Sequence, residues 1–328
     1  MTTSSAGNLP PRVAVVIPTY RRPQLLDLLL RSLFQQTFPP ERFEIVVVGD
    51  AESAPETPAV VQRALANTPV PLRYLVTTNN APHKRNVGFA NTTAELIAFT
   101  DDDCRADPNW LIELVRTVGD AGGAQGHTII PRPDEGGASF YHASQLGKAL
   151  YPTCNILYRR HVLEEVGGFD ERFDAPVRED TDLAFAVLER GYEIRPAKNA
   201  VIYHHVRPGE PWGILRSARQ ARFEVLLYKK HPAYYRRLIG SPWSPRSYPL
   251  CYAALIALAA GLLTPLGFLL WLGGGLYAAV YAMQLGVRLR RGSPRELPTL
   301  APGVVLAPYV HGLSLLQGNL RYGAFLLW

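Results

Sequence analysis

The sequence is poor in cysteine and lacks several familiar signatures. Its three cysteines, Cys104, Cys154 and Cys251, are far apart and odd in number. They form neither a disulfide framework nor a metal-binding spacing, which fits a reducing compartment. The segment from Met1 to Arg12 is polar and has no apolar core, so no secretory signal is expected there. No Gly-x-x-x-x-Gly-Lys-Ser/Thr is present, which disfavours a phosphate-loop ATPase. No internal repeat or low-complexity segment is evident. The net charge of +6 is not gathered into one solid basic block, so a nucleic-acid partner is not expected. Charge is itself missing from Ser247 to Val287.

What is present suits an α/β protein. The chain has 328 residues and is 47% hydrophobic, enough for one large or two ordinary domains. Val13–Ile17 is a continuous apolar run, the mark of a buried parallel strand. Pro18 stops it, and a polar loop follows at Thr19, Tyr20, Arg21 and Arg22. Pro23 opens a helix with Leu25, Leu26, Leu29, Leu30 and Leu33 on one face. Phe43–Val48 reads as the next strand and ends at Gly49-Asp50. This βαβ unit has a right-handed crossover, which brings Asp50 to the same sheet edge as Thr19. Leu72–Val76 reads as a third strand. Lys84 and Arg85 then lie near a helix opening, where spare N–H groups favour an anion such as a diphosphate. An ordinary basic helix start is the alternative.

Leu96–Phe99 is a short buried strand, and Asp101, Asp102 and Asp103 follow it almost at once. Ligands of open α/β sheets sit at this edge. Three adjacent carboxylates repel one another and call for a compensating cation. A hard divalent metal carrying phosphates answers that need. A solvated acidic loop, or a cap for a helix at Pro108–Val118, is the alternative. Gly122–Ile130 reads as a strand, Pro131–Gly137 as a loop, Cys154–Tyr158 as a strand and His161–Val166 as a short helix. Glu179, Asp180 and Asp182 open a further helix, where acids also serve as plain dipole partners. Tyr192–Pro196 and Ala200–Tyr203 read as two strands, the second running into His204-His205. Trp212–Lys230 reads as a basic amphipathic helix, either packed on the domain or lying near an anionic membrane face.

A single helix over Ser247–Val287 would overshoot a hydrocarbon core, which takes about 20 apolar residues. Thr264-Pro265 offers a break, so a hairpin of two crossings at about 248–287 is expected. Leu250–Leu263 is short for a span. Gly273, Gly274 and Gly275 allow close helix contact or a kink. Arg236, Arg237 and Arg246 flank one end and Arg288, Arg290, Arg291 and Arg295 the other, so both ends are expected on the cytoplasmic side. A third apolar stretch at about 297–317 is interrupted by Pro302, Pro308 and His311. Spanning, re-entry and an interfacial position all remain open for it.

Taken together, these motifs resemble family 2 glycosyltransferases of the membrane-anchored bacterial type. The carrying residues are Val16–Tyr20, Ile45–Asp50, Arg85–Gly88, Asp101–Asp103, Gly167–Asp170, Glu179–Leu183 and His204. The resemblance covers about residues 12 to 232. It implies a GT-A fold, a Rossmann-like nucleotide-diphospho-sugar transferase domain, followed by C-terminal transmembrane helices over 233–328. It implies that Pro18, Thr19, Tyr20 and Arg22 line a nucleotide pocket, with Asp50 on the base and Arg85 facing the nucleotide or its phosphates. Asp101 and Asp103 match the family's Asp-x-Asp motif, the first near ribose or metal and the second on Mg²⁺ or Mn²⁺. Asp102 sits at the variable position between them and, with Glu179, is expected at the substrate. Asp180 matches the catalytic base. His204 matches a histidine that helps hold the metal, with His205 beside it. The implied activity is inverting transfer of a sugar from a nucleotide-diphosphate sugar to a glycan or polyprenyl-linked acceptor. The implied setting is the inner membrane, multi-pass, with the catalytic domain cytoplasmic and membrane lipid as a further partner. A sugar-phosphate nucleotidyltransferase and a non-catalytic nucleotide-binding membrane protein are the alternatives. Three departures stand out: Gly49 replaces a carboxylate, Cys104 follows the acidic cluster, and Pro82 replaces a common glycine.

Overall fold

The structure, a computed structural model, describes residues 12–50, 55–78, 80–131, 150–205, 212–243, 245–289 and 297–326. The expected polar start before Arg12, all but Pro131 of the loop at Pro131–Gly137, and Arg290, Arg291 and Arg295 lie outside them. The chain divides into two compact units. One comprises Met1–Pro131 with Leu146–His205, and the other comprises Arg132–Gln145 with Val206–Trp328.

The first unit is built on a sheet of eight strands in the order β3-β2-β1-β4-β7-β6-β8-β5. These are β1 Val13–Pro18, β2 Phe43–Asp50, β3 Leu72–Thr77, β4 Leu96–Phe99, β5 Cys104–Ala106, β6 Gly123–Ile129, β7 Ile156–Arg159 and β8 Ile194–His204. β3, β2, β1 and β4 are mutually parallel. Their apolar runs are buried because helices cover both faces. The helices are α1 Pro23–Leu33, α2 Glu56–Leu65, α3 Ala81–Ala90, α4 Trp110–Val118, α5 Arg160–Val166 and α6 Glu179–Glu189. One face carries Val15, Ile17, Leu26, Leu29, Ile45 and Trp110, and the other carries Val16, Phe99, Tyr158, Leu163 and Leu183. Chain order runs outward from β1 through β2 to β3, then returns through α3 to β4. The reversal opens a crevice outside the C-terminal ends of β1 and β4.

Beyond β4 the sheet turns mixed. β7 is antiparallel to β4, β6 is antiparallel to β7, β8 is parallel to β6, and β5 is antiparallel to β8. The two strands expected at Tyr192–Pro196 and Ala200–Tyr203 are one strand, β8. Its pairing with β6 shifts register between Gly126 and His127, so the polar Lys198-Asn199 stretch is carried as an irregularity instead of a turn. Gly49 is explained by packing. A side chain there would collide with the Tyr74 ring and hydroxyl on β3.

The second unit is helical. It contains α7 Gly213–Arg219, α8 Arg222–Lys230, α9 Pro232–Leu238, α10 Tyr248–Leu263, α11 Phe268–Leu289 and α12 Leu297–Tyr322. The single basic helix expected at Trp212–Lys230 is two helices, and they pack along α12. Ser314 of α12 sits at the break. Its hydroxyl donates to the Arg219 carbonyl at 2.6 Å and accepts from the Arg222 N–H at 3.0 Å. Both helices thus pack within the second compact unit, which takes up Val206–Trp328, with Ile214 and Ala218 of α7 against Leu300, Val304 and Ala307 of α12.

α10 and α11 form the expected hairpin, turning at Thr264-Pro265. Of the three consecutive glycines, Gly273 is the one that brings the helices together. A Cβ there would lie 2.8 Å from the Ala254 carbonyl oxygen, whereas Gly274 and Gly275 face open space. Gly273→Val is therefore expected to cost about 1–3 kcal/mol through overpacking. Gly274→Val should leave the thermal midpoint nearly unchanged, and thermal unfolding of the two variants checks the contrast.

Among the described residues two helices are long and apolar enough to cross a membrane, Phe268–Leu289 and Leu300–Tyr322. α10, with 16 residues, spans only about 24 Å against a core of about 30 Å. The outer face of the hairpin is bare, with Leu263 84% and Trp271 86% exposed, whereas nearly half of α12 is covered. The expected interruptions of the third stretch do not break it, and α12 runs on through Pro302 and Pro308. Packing beside a neighbouring helix lets a helix tolerate such prolines, and the Tyr252 hydroxyl of α10 donates to the Pro308 carbonyl. Arg288 is buried and donates to the Gln284 carbonyl, so it does not stand on the exposed basic flank.

Candidate active site

The loop after β1 and the acidic run after β4 meet across the crevice. Asp102 and Asp103 are almost fully buried, which removes the solvated-loop alternative. Asp102 is the tie between the two loops. Its Oδ2 accepts from the Thr19 hydroxyl at 2.9 Å and the Tyr20 N–H at 3.1 Å, and its Oδ1 accepts from Arg22 at 2.7 Å. Burial pushes the Asp102 carboxyl up to about 6, with Arg22 opposing. Arg22 also donates to Asp103 Oδ2 at 3.2 Å. Thus Thr19, Tyr20, Arg22 and Asp102 hold one another, while Pro18 ends β1 directly behind them.

Lys84 sits under this loop. Its ammonium is buried and donates to the Thr19 carbonyl at 2.8 Å and Asp50 Oδ2 at 2.9 Å. The free diphosphate cation expected at Lys84 is therefore a buried tie between the ends of β1 and β2. The first turn of α3 points inward, with Asn80 capping it through the His83 N–H.

Arg85 is also buried, and it joins two motifs far apart in sequence. It donates to Asp101 Oδ1 at 2.9 Å and to Glu179 Oε1 at 3.1 Å. Burial works against its charge, but Asp101 and Glu179 more than offset it and hold the guanidinium above its ordinary value. Phe169, whose ring lies 5.5 Å from the guanidinium carbon, closes the other side. Asn86 fixes that ring's backbone with a reciprocal pair of bonds to Phe169 at 2.8 and 2.9 Å.

Glu179 and Asp180 open α6. Burial, then the adjacent Asp180 charge, pushes Glu179 up to about 8, with Arg85 pulling it back. Burial also raises Asp180, opposed by the Thr181 N–H. Asp180 Oδ1 accepts from that N–H at 2.6 Å and from the Thr181 hydroxyl at 3.2 Å. No hydrogen bond to Asp180 Oδ2 occurs among the described residues.

At the far side, His204 ends β8 with its Nε2 3.4 Å from Asp103 Oδ1. Its Nδ1 faces the His205 carbonyl at 3.0 Å, and the His205 N–H donates to the Asp103 carbonyl. Cys104 opens β5 directly opposite His204. Ligand atoms of Asp103, Cys104 and His204 all lie within 4.8 Å of one another. An oxygen, a nitrogen and a sulfur so close together fit a divalent cation. Burial pushes the Cys104 thiol well up, so Asp103 and His204 are the better ligands. Sequence reading missed Cys104. Its signal was its position directly after Asp103, not any cysteine spacing.

The family model for glycosyl transferase family 2 matches residues 14–169, which span β1, the acidic cluster and β7. The match to glycosyl transferase family 2 takes in just under half of the chain. Over 225 residues it is 31% identical to the O-antigen biosynthesis protein RfbC of Myxococcus xanthus, covering 60% of this chain and 17% of that protein. Over 211 residues it is 25% identical to the glycosyltransferase AglE of Haloferax volcanii, covering 60% of this chain and 68% of AglE. The chain thus spans about a sixth of the first relative's length and about two thirds of the second's. The fold matches a mannosyltransferase of Pyrobaculum calidifontis solved with GDP-Man and Mn²⁺, at 23% identity and a TM-score of 0.54, covering 95% of this chain and 86% of that one. It also matches S. aureus TarS 1–349 solved with UDP-GlcNAc, at 17% identity and a TM-score of 0.51, covering 96% and 93%. The first unit therefore has the expected GT-A architecture.

Proposed function

We propose that this chain is an inverting family 2 glycosyltransferase that moves a sugar from a nucleotide-diphosphate sugar to a hydroxyl of a glycan or lipid-linked acceptor. One observation carries the reading. Arg85 joins Asp101 of the acidic cluster to Glu179 beside Asp180, so donor-side and acceptor-side carboxylates share one buried guanidinium. A protein that only binds a nucleotide has no need of that second carboxylate pair. The match of residues 14–169 to the glycosyl transferase family 2 model speaks against a nucleotidyltransferase.

In this reading Thr19, Tyr20 and Asp50 face the nucleotide, with Lys84 and Asp102 holding their loops. Asp103 and His204 would hold Mg²⁺ or Mn²⁺, which when bound supplies Lewis-acid screening of the diphosphate's charge. The acceptor oxygen attacks the anomeric carbon in line with the departing diphosphate. The new carbon–oxygen bond forms as the bond to the diphosphate breaks, and the hydroxyl proton passes to Asp180 Oδ2. One base suffices for a single displacement. A second flanking carboxylate, as in glycoside hydrolysis, is not required. The apolar helices of the second unit support work at the cytoplasmic face of a membrane, on an acceptor carried by a polyprenyl lipid.

The test is a screen of nucleotide-sugars against the purified chain, each with and without Mn²⁺. A donor present at about 100 times its Kd adds about 2.7 kcal/mol of apparent stability. One nucleotide-sugar should raise the melting midpoint in the presence of Mn²⁺ and release its sugar to an acceptor. Indifference to every donor would contradict the reading.

A further inference from the structure

The second unit contains a cavity of about 810 Å³ between the connection before α10 and the middle of α12. Its volume lies inside the range of about 300–1,000 Å³ usual for small-ligand sites. Trp243, Pro249, Tyr252, Tyr309, Leu313 and Leu316 form most of its wall. The polar ends of two of these side chains are already engaged elsewhere. The Tyr252 hydroxyl donates to the Pro308 carbonyl at 2.9 Å, and the Tyr309 hydroxyl donates to the Tyr277 hydroxyl at 3.3 Å. Both tyrosines therefore offer the cavity their rings. Trp243 is held by stacking on His311 at 5.4 Å and by an edge contact with Tyr252 at 5.8 Å. His311 is fixed in turn by the Pro242 carbonyl at 2.9 Å. The aromatic wall is thus set before any ligand arrives, and it asks for hydrocarbon.

The surroundings supply the opposite character. Arg246 is exposed and stands on the connection between the lining residues Trp243 and Pro249. Arg236 and Arg237, also exposed, end α9 just before that connection. Tryptophan and tyrosine beside arginine at the start of apolar helices are the residues of a membrane–water boundary. An apolar cavity beside a basic approach complements a molecule with an anionic head and a hydrocarbon tail. Flat ring walls stack well on the planar double bonds of a prenyl chain.

We propose that this cavity seats the prenyl chain of a phosphate- or diphosphate-bearing lipid acceptor, with Arg236, Arg237 and Arg246 near its head. The proposal rests on the reading of the chain as a glycosyltransferase with a lipid-linked acceptor, and it names the residues that take the lipid.

The test uses the full chain in detergent with a diazirine-bearing farnesyl phosphate. Photolysis should label the peptides covering residues 241–252 or 309–316. Unlabelled farnesyl phosphate should compete, while phosphatidylglycerol and inorganic phosphate should not. Leu313 and Leu316 are 67% and 50% exposed, so a larger side chain there fills the cavity without disturbing the core. Leu313→Trp should cut labelling at least tenfold and leave the Mn²⁺-dependent stabilisation by nucleotide-sugar unchanged. Labelling elsewhere, labelling unchanged in Leu313→Trp, or equal competition by phosphatidylglycerol would overturn the assignment. Labelling as described in a chain that no nucleotide-sugar stabilises would sink the glycosyltransferase reading and leave the cavity assignment standing.

Discussion

Asp180→Asn is expected to lower kcat about 10³-fold while changing the Kd for the nucleotide-sugar less than twofold. General-base catalysis contributes about 10²–10⁴-fold, and the amide keeps the carboxylate's shape without its basicity. Among the described residues Asp180 makes its hydrogen bonds to Thr181 and none to Asp101, Asp102 or Asp103, so the amide leaves the donor side's own hydrogen bonds in place. The Thr181 N–H and hydroxyl fix Oδ1, and burial raises the carboxyl, which makes it a stronger base than a solvated aspartate. Because the base must be unprotonated, activity should rise with pH along a limb above the ordinary carboxylate range. The midpoints belong to the Glu179–Asp180 pair and not to one residue. Steady-state transfer rates across pH, with titration calorimetry of the donor, check both parts. Full turnover by Asp180→Asn would remove Asp180 from the role.

Arg85→Met should destabilise the chain by about 3–5 kcal/mol, because breaking a buried pair leaves uncompensated charge. Two carboxylates, Glu179 and Asp101, lose this shared ion-pair partner at once. The sign with pH follows from Glu179. Its folded pKa of about 8 lies above the ordinary value of 4.5. Protonated Glu179 thus contributes stability that is fully present below the lower value and lost as pH rises through the upper one. Without Arg85 Glu179 loses the main pull towards its charged form, so the variant's deficit should be larger near about pH 9 than near about pH 5. Thermal midpoints of both proteins at the two pH values measure it. A deficit independent of pH would show that Arg85 does not govern Glu179.

Much of the first unit was legible in the sequence, since buried parallel strands announce themselves as apolar runs. Val13–Pro18, Phe43–Asp50 and Leu72–Thr77 are where those runs stand. β5 was not legible, because three residues after an acidic cluster carry no period. β8 was read as two strands because Lys198 and Asn199 look like a turn, and only pairing with β6 shows otherwise. The acidic cluster, Asp180 and His204 were legible as candidates from their places at strand and helix ends. The inward commitments of Lys84 and Arg85 were not, since their partners lie 34 and 94 residues away along the chain. Nor was the pairing of Cys104 with His204, which is a matter of register. The helices α7 and α8 were misplaced for a similar reason. Their basic faces pointed to a surface helix, while the residue that divides them, Ser314, comes at the other end of the unit.

The most direct test of the central claim is calorimetric titration of the stabilising nucleotide-sugar into the wild-type chain and Asp103→Ala, each with Mn²⁺ and with a chelator. The wild type should bind the donor with Mn²⁺ and lose at least tenfold in affinity under chelation, while Asp103→Ala should bind weakly in both. Equal donor affinity in all four titrations would contradict the claim that the buried acidic rim holds a cation for the donor's diphosphate.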